Sequence, residues 1–301
     1  MKIAFRKNTL RVDRLARVKT INGIIQEYQA AGYRLTLRQL YYQLVSRDVI
    51  PNKQREYANL SSLLTDARMC GLVDWNAIED RLRRPEVPAA WDSPADALES
   101  LANQYEKPRQ EGQKVYVEVW VEKDALSGVL SRVTEKYHVP ILVNRGYSSA
   151  SAMFEAYKRF KVHKGRGQRI RIIYLGDYDP SGIDMIRDVE DRIREFFQGD
   201  RVNFQVLPVA LTRAQIDQYD PPENPAKVSD SRYNKFAAEH GESSWEVDAL
   251  RPEDLDQILT DAIEELIDVD MYEAVVAEEE AEVEKLRSLT RYLNDDSEDE
   301  S

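Results

Sequence analysis

Asp177 and Asp179 stand one residue apart in "RIIYLGDYDPSGID" (171–184), directly behind an apolar run that reads as a buried strand. A third carboxylate, Glu122, closes the alternating stretch "KVYVEVWVE". Carboxylates gathered at strand ends repel one another, and a divalent cation offsets that repulsion most directly. Magnesium suits such a site, because it takes oxygen ligands and keeps several waters; manganese is the alternative. In an extended Asp177-Tyr178-Asp179 both aspartates point to one side, Pro180 stops the strand, and Gly182 lets a helix start close by. A plainer reading is that the two aspartates cap that helix.

The elements that must position these groups alternate in type. After "KVYVEVWVE" come "VPILVN" as a strand, "SASAMFEAYKRF" as a helix, "RIRIIYLG" as a strand, "GIDMIRDVEDRIREFF" as a helix and "VNFQVLPVAL" as a strand. This order predicts a Rossmann-like α/β fold with a parallel sheet and helices on both faces. Ligands of such sheets sit at the carboxyl ends of the strands, where the strand order reverses. If the strands before Glu122 and Asp177 are neighbours, as in a flavodoxin-like order, the three carboxylates converge on one edge. Ser148, Ser149 and Ser151 sit where a helix starts; capping and a phosphate cradle are the two readings. In "HGESSWEVDAL", Trp245 and Leu250 read as core and Asp248 as a cap or surface charge.

Ahead of the sheet, "RLARVKTINGIIQEYQAAG", "TLRQLYYQLVSRDVI" and "REYANLSSLLTDARMCGLVDW" repeat apolar residues at three and four, which predicts three helices. Thr36 is the expected cap of the second, Pro51-Asn52 its end, and Gly71 the close of the third. A compact trio of this kind is the pattern of a helix-turn-helix or winged-helix module, and also of proteins that never touch DNA. The proline-bearing "RRPEVPAAWDSPADALES" reads as a linker. The expected divisions are a winged-helix-like domain over 1–85, a linker over 86–112, the sheet domain over 113–270 with helices at its C-terminal end, and an acidic helical or disordered tail over 271–301.

Charge is polarised along the chain. The net charge of -12 conceals an amino-terminal region, residues 1–84, with 16 Lys and Arg against 8 Asp and Glu, a net of +8. Residues 242–301 hold 4 basic and 22 acidic residues, a net of -18. The basic end suits phosphate binding, whereas the acidic end solvates, shields the chain itself or docks elsewhere. One cysteine excludes an internal disulfide, and three scattered histidines give no zinc spacing. There is no apolar run of membrane-spanning length and no signal-peptide core at the start. A cytoplasmic protein is expected, nucleoid-associated if the source is bacterial or phage.

The residues carry a resemblance. "VEKDAL" with Glu122, followed by "LGDYDPSGID" with Asp177 and Asp179, resembles the glutamate and Asp-x-Asp signatures of a Toprim domain. The form is similar to that of the topoisomerase VI A subunit and the related meiotic double-strand-break transesterase. "TLRQLYYQLV" resembles the winged-helix motif of the same family, and "NRGYSS" (144–149) the loop after its second Toprim strand. The match spans roughly residues 30–200, in the family's order. Gln39 departs from it, standing where an acidic residue is frequent. The short stretch before the first motif resembles free-standing A-like forms of phages and mobile elements; a Toprim subunit of plasmid-defence systems is similar too.

The resemblance implies a DNA-cleaving enzyme. Tyr42 takes the nucleophile's place, Arg38 that of its supporting arginine, and Glu122, Asp177 and Asp179 hold Mg2+, with Glu122 also counted as catalytic. It further implies a homodimer, in which tyrosine and metal site come from different protomers, acting on double-stranded DNA through a phosphotyrosyl link. A phenol with a pKa near 10 is a weak nucleophile at neutral pH, so Tyr42 needs a neighbouring cation or base. Arg38, Arg55, Arg68 and Lys123 are the candidate DNA-binding cations. Two alternatives stand beside this reading: a hydrolytic Toprim nuclease in which Tyr42 only packs, and a DNA-binding protein that does not cleave. No Gly-rich phosphate loop ending in Gly-Lys-Ser or Gly-Lys-Thr occurs, so any ATP dependence requires a separate ATPase partner.

Overall fold

Val115, Val117, Val119 and Val121 alternate with Tyr116, Glu118 and Trp120 along β1 (Val115–Val121), so the two faces of this strand are chemically distinct. The computed structural model describes residues 1–7, 10–79, 88–144 and 146–299, with 293–299 described by backbone alone. The other strands of the main sheet are β2 (Ile141–Val143), β3 (Arg169–Leu175) and β4 (Phe204–Ala210), in the order β2-β1-β3-β4 and parallel throughout. The expected α/β class and the adjacency of the strands before Glu122 and Asp177 are therefore as read. Because β2 and β3 flank β1, the order reverses between β1 and β3, which makes their carboxyl ends the topological switch point.

The valine face packs on Leu126, Leu130 and Tyr137 of one helix and Leu255, Leu259 and Ile263 of another. The Tyr116 and Trp120 face packs on Met153 and Phe160 of a third and Met185, Val189 and Ile193 of a fourth. Burying one such side chain contributes about 1.5–3 kcal/mol, so the strand's alternation dictates which helices lie on which face. Glu118, 1% exposed among these apolar groups, is fully engaged: Arg159 donates to both its oxygens, at 2.7 and 3.0 Å, and Tyr116 and Trp120 each donate once, at 2.9 Å.

The chain begins with three helices, α1 (Val12–Ala30), α2 (Leu37–Ser46) and α3 (Gln54–Met69). They share a core of their own built on Ile21, Leu40, Leu44, Leu63 and Ala67. Thr36 caps α2 as expected, and Gln39, the departure from the resembled motif, completes a capping box: Gln39 N–H donates to Thr36 Oγ1 at 3.2 Å and Thr36 N–H to Gln39 Oε1 at 2.8 Å. The helix stops at Ser46, ahead of the expected Pro51-Asn52, because Asp48 turns into the left-handed region at φ 54° and Val49 N–H closes on Leu44 O. At the end of α3, Gly71 takes φ +69° while Leu72 N–H donates to Ala67 O, a Schellman closure. The strand-like ends of this region are single bridges, Ala4 with Cys70 and Leu35 with Ile78.

The linker reading of 86–112 is corrected. Its residues 86 and 87, like the expected boundary at 85, lie outside the described residues, but Pro94–Gln104 forms α4, docked along the long C-terminal helix. Ser93 caps it through Asp96 N–H at 3.1 Å and Pro94 occupies its first turn. A proline that suggested a break is thus a helix start. After β1 come α5 (Asp124–Tyr137), α6 (Ala150–Gly165), α7 (Pro180–Phe196), α8 (Arg213–Tyr219), a short antiparallel pair β5 (Asn224–Pro225) and β6 (Ser243–Ser244) around α9 (Tyr233–His240), then α10 (Pro252–Glu264) and α11 (Val269–Asp299). The helical form of the acidic tail is one of the two states expected of it. Among the described residues no helix is long and apolar enough to cross a membrane.

Candidate active site

The register places Val121 opposite Leu175, so β1 and β3 end level. Glu122 follows the first and Asp177 the second by two residues. They touch: Glu122 Oε2 accepts the Asp177 backbone N–H at 3.0 Å. Beyond them Tyr178 exchanges backbone hydrogen bonds with Trp245, at 2.9 and 3.1 Å, which brings a distant segment across the edge. In that segment Trp245 and Val247 face the core while Glu246 and Asp248 face the site. A 3-10 turn, Val247–Ala249, holds Asp248.

Lys123 lies at the centre. Its ammonium reaches Asp177 Oδ1 at 2.7 Å, Glu246 Oε2 at 2.8 Å and Asp248 Oδ1 at 3.0 Å. Helix α2 delivers Arg38 to the same carboxylates: its Nε donates to Asp248 Oδ2 at 2.5 Å and its Nη2 to Glu246 Oε2. Tyr42, one turn further, places its ring 5.7 Å from the Arg38 guanidinium, and its hydroxyl interacts electrostatically with Glu246 and Asp248. Arg38 and Tyr42, read from one motif, and Glu122, Lys123 and Asp177, read from another, therefore meet in one place.

The electrostatics follow from five carboxylates (Glu122, Asp177, Asp179, Glu246, Asp248) set against two cations. Burial pushes the Asp177 carboxyl up to about 7, with Glu122 and Asp248 adding to the rise and Lys123 opposing it. Burial also raises Glu122, helped by Asp179 and Asp248. Burial works against a charged Lys123, but Asp248, Asp177 and Glu246 outweigh it and lift its pKa above the ordinary value. Burial, then Asp248 and Glu246, raise Tyr42 well above a free phenol. Glu246 runs the other way: despite burial, Lys123, Arg38 and the Tyr42 hydroxyl lower it from 4.5 to about 2.

That last shift makes a stability prediction. A carboxyl whose folded pKa lies below its unfolded value stabilises the fold above the unfolded value, and the contribution is lost as pH falls from about 4.5 towards 2. For Glu246 it amounts to at most about 3 kcal/mol. Urea unfolding of wild type and Glu246→Gln between pH 5.5 and 3 should show the wild type losing stability more steeply. Parallel pH dependences would show that these ion pairs do not hold α2 to the sheet.

Asp179 fills the capping role expected of it. It caps α7, its Oδ1 accepting from Gly182 N–H and from Ser181 Oγ, both at 2.7 Å. Among the described residues, no group of three or more His, Cys, Asp and Glu side chains is arranged to hold a metal ion. The donor chemistry nonetheless suits a hard divalent cation, since every donor is a carboxylate oxygen and negative charge is in surplus. Gly182 fixes the approach of α7: a Cβ there would stand 2.1 Å from Asp177 O. Gly182→Ala should cost about 3 kcal/mol or more, since backbone cannot yield as a side chain does; a denaturation midpoint within error of wild type would contradict this.

The remaining residues fall apart from the site. Arg55 lies exposed on α3. Arg68 is half-buried, its Nη2 holding the carbonyls of Trp75 and Ile78 at 3.1 and 2.9 Å and its guanidinium lying over the Trp75 ring, so it braces the loop after α3. Ser149 caps α6 through Ala152 N–H, and Ser148 donates to Asn144 Oδ1. Arg145, within the resembled "NRGYSS" loop, lies outside the described residues. Asp248, expected as a cap or surface charge, is instead 1% exposed at the heart of the cluster. Its signal, like that of Glu246, was the period of two in Trp-Glu-Val-Asp: two core residues on one side and two carboxylates on the other. Comparison of the chain with protein-family models, curated proteins and solved structures finds no match.

Proposed function

We propose that this chain is a magnesium-dependent DNA-cleaving enzyme of the topoisomerase VI A type, with a winged-helix-like amino-terminal domain and a Toprim domain. In this reading Tyr42 breaks the strand by transesterification. The observation that carries it is the meeting of α2, bearing Arg38 and Tyr42, with the acidic switch point of a parallel sheet. The Tyr42 oxygen bonds to phosphorus and gives up its proton to water. The bond from phosphorus to the sugar oxygen breaks, and the freed hydroxyl takes a proton. Arg38 and Lys123 supply positive charge at the phosphate. Glu122, Asp177 and Asp179 would hold the cation, Mg2+ or Mn2+, which supplies Lewis-acid stabilisation of the developing charge when bound. A homodimer on double-stranded DNA, with a separate ATPase partner for any ATP-driven step, belongs to the same proposal, but α2 with Tyr42 meets the acidic edge of its own chain, not the partner's as the resemblance implies.

One observation favours a hydrolytic nuclease instead. Tyr42 is 5% exposed and its proton is held more tightly than that of a free phenol. In that second reading the same carboxylates serve attack by water and Tyr42 packs. The test is a denaturing gel of protein incubated with duplex DNA and Mg2+ or Mn2+. DNA migrating covalently with protein supports transesterification, and free nicked or linear DNA without an adduct supports hydrolysis.

A further inference from the structure

Glu246 collects hydrogen bonds from two cations on separate elements, the Arg38 guanidinium of α2 and the Lys123 ammonium at the head of α5, 2.8 Å away, and Tyr42 lies one turn beyond Arg38 with its ring 5.7 Å from that guanidinium. Two cations converging on one singly charged carboxylate, with a phenol beside them, also describe what a phosphodiester would meet there. We propose that Glu246 is an internal stand-in for a DNA backbone phosphate. Its carboxylate fills the anion subsite of Arg38 and Lys123, beside Tyr42, and yields it when a phosphate arrives. The proposal rests on the DNA reading above and deepens it.

Three features argue for exchange rather than a fixed strut. The main chain beside Glu246 is pinned on both sides, by the Trp245–Tyr178 backbone pair and by Val247 N–H donating to Asp177 Oδ1 at 2.9 Å. Only the side chain has to swing. That side chain is 27% exposed and so has a way out to solvent, whereas the Asp248 side chain is 0% exposed and stays behind, bonded to both Arg38 and Lys123. Charge supplies the third. Replacing one monoanion by another leaves the cluster's balance unchanged, while both together would set like charges on the same donors. Glu246 thereby weakens binding of every phosphate at this place and keeps Tyr42 covered until one competes successfully.

Thermal unfolding in inorganic phosphate, against chloride of equal ionic strength, tests this with wild type, Glu246→Gln and the double variant Glu246→Gln/Arg38→Gln. Glu246→Gln should half-saturate at about tenfold lower phosphate than wild type, since a like charge has left the subsite. The double variant should lose that gain. If Glu246→Gln does not fold, Glu246→Asp, whose shorter arm withdraws the charge, should show a smaller gain in the same direction. An equal or weaker phosphate response in the single variants overturns the proposal and makes Glu246 an organiser of the two cations. A short duplex separates this from the parent reading. Phosphate gain without duplex binding by any variant keeps the subsite and removes DNA as its ligand. Duplex binding by wild type with no gain in the variants removes the stand-in role alone.

Discussion

Under the proposed transesterification, Tyr42→Phe should abolish the covalent protein–DNA adduct, by a factor on the order of 10³ or more, while leaving a folded protein. The substitution removes one oxygen from a ring that is otherwise packing: Tyr42 is 5% exposed and meets Tyr41 edge-on at 5.3 Å. The lost interaction of the hydroxyl with Glu246 costs no more than about 0.5–1.5 kcal/mol, because that carboxylate keeps Lys123 and Arg38 as partners. Stability and chemistry therefore separate in this variant. The measurement is the denaturing-gel assay with Mg2+ or Mn2+, run beside Asp177→Ala. Under transesterification both variants lose the adduct. Under hydrolysis, Tyr42→Phe cuts as wild type does with no adduct in either, and only Asp177→Ala is dead. If neither variant changes anything and duplex binding falls steeply with salt, the chain binds DNA without cleaving it.

The parts of this site that were legible in the sequence are those made by neighbours in the chain. Alternation over Val115–Val121 and the apolar run before Gly176 marked two strands, and the alternation of strand and helix made the sheet parallel. From that followed a level edge with Glu122 and Asp177 upon it. Thr36 marked the start of α2, and the spacing of Arg38 and Tyr42 put both on one helix face. What was not legible depends on contacts between distant segments. Glu246 and Asp248 enter the site only because Trp245 pairs with Tyr178, far back along the chain. Asp248 carries the charge of a surface residue, and burial is assigned to such a residue only once its partners are known; here they are Arg38 and Lys123, from two other elements. The brace formed by Arg68 was likewise not legible, since the backbone carbonyls it holds lie in the loop beyond its own helix. In 86–112 prolines were read as breaks, whereas Ser93 and Pro94 form the entry of a helix.

Asp248→Ala should be the most destabilising change in the site, by about 3–5 kcal/mol. Its carboxylate has no exposed surface, accepts from Arg38 Nε at 2.5 Å and from Lys123 Nζ at 3.0 Å, and so ties α2 to the end of β1. Removing it leaves two partly buried cations facing one another with less to hold them, and leaving a buried charge short of its counterion is what makes a broken internal pair costly. Glu246→Gln should cost less, because that side chain is 27% exposed and water replaces part of what is lost. Asp248→Asn should fall between them, keeping shape and one acceptor but not the charge. Urea unfolding orders the three variants, with Asp248→Ala lowest. If Asp248→Ala unfolds within about 0.5 kcal/mol of wild type, a change typical of exposed positions, then Arg38 and Lys123 are not held by this carboxylate. The meeting of Tyr42 with the acidic edge would then depend on the apolar contact of Ala249 with the core of α1–α3 and on Glu246, whose carboxylate also joins Arg38 to Lys123.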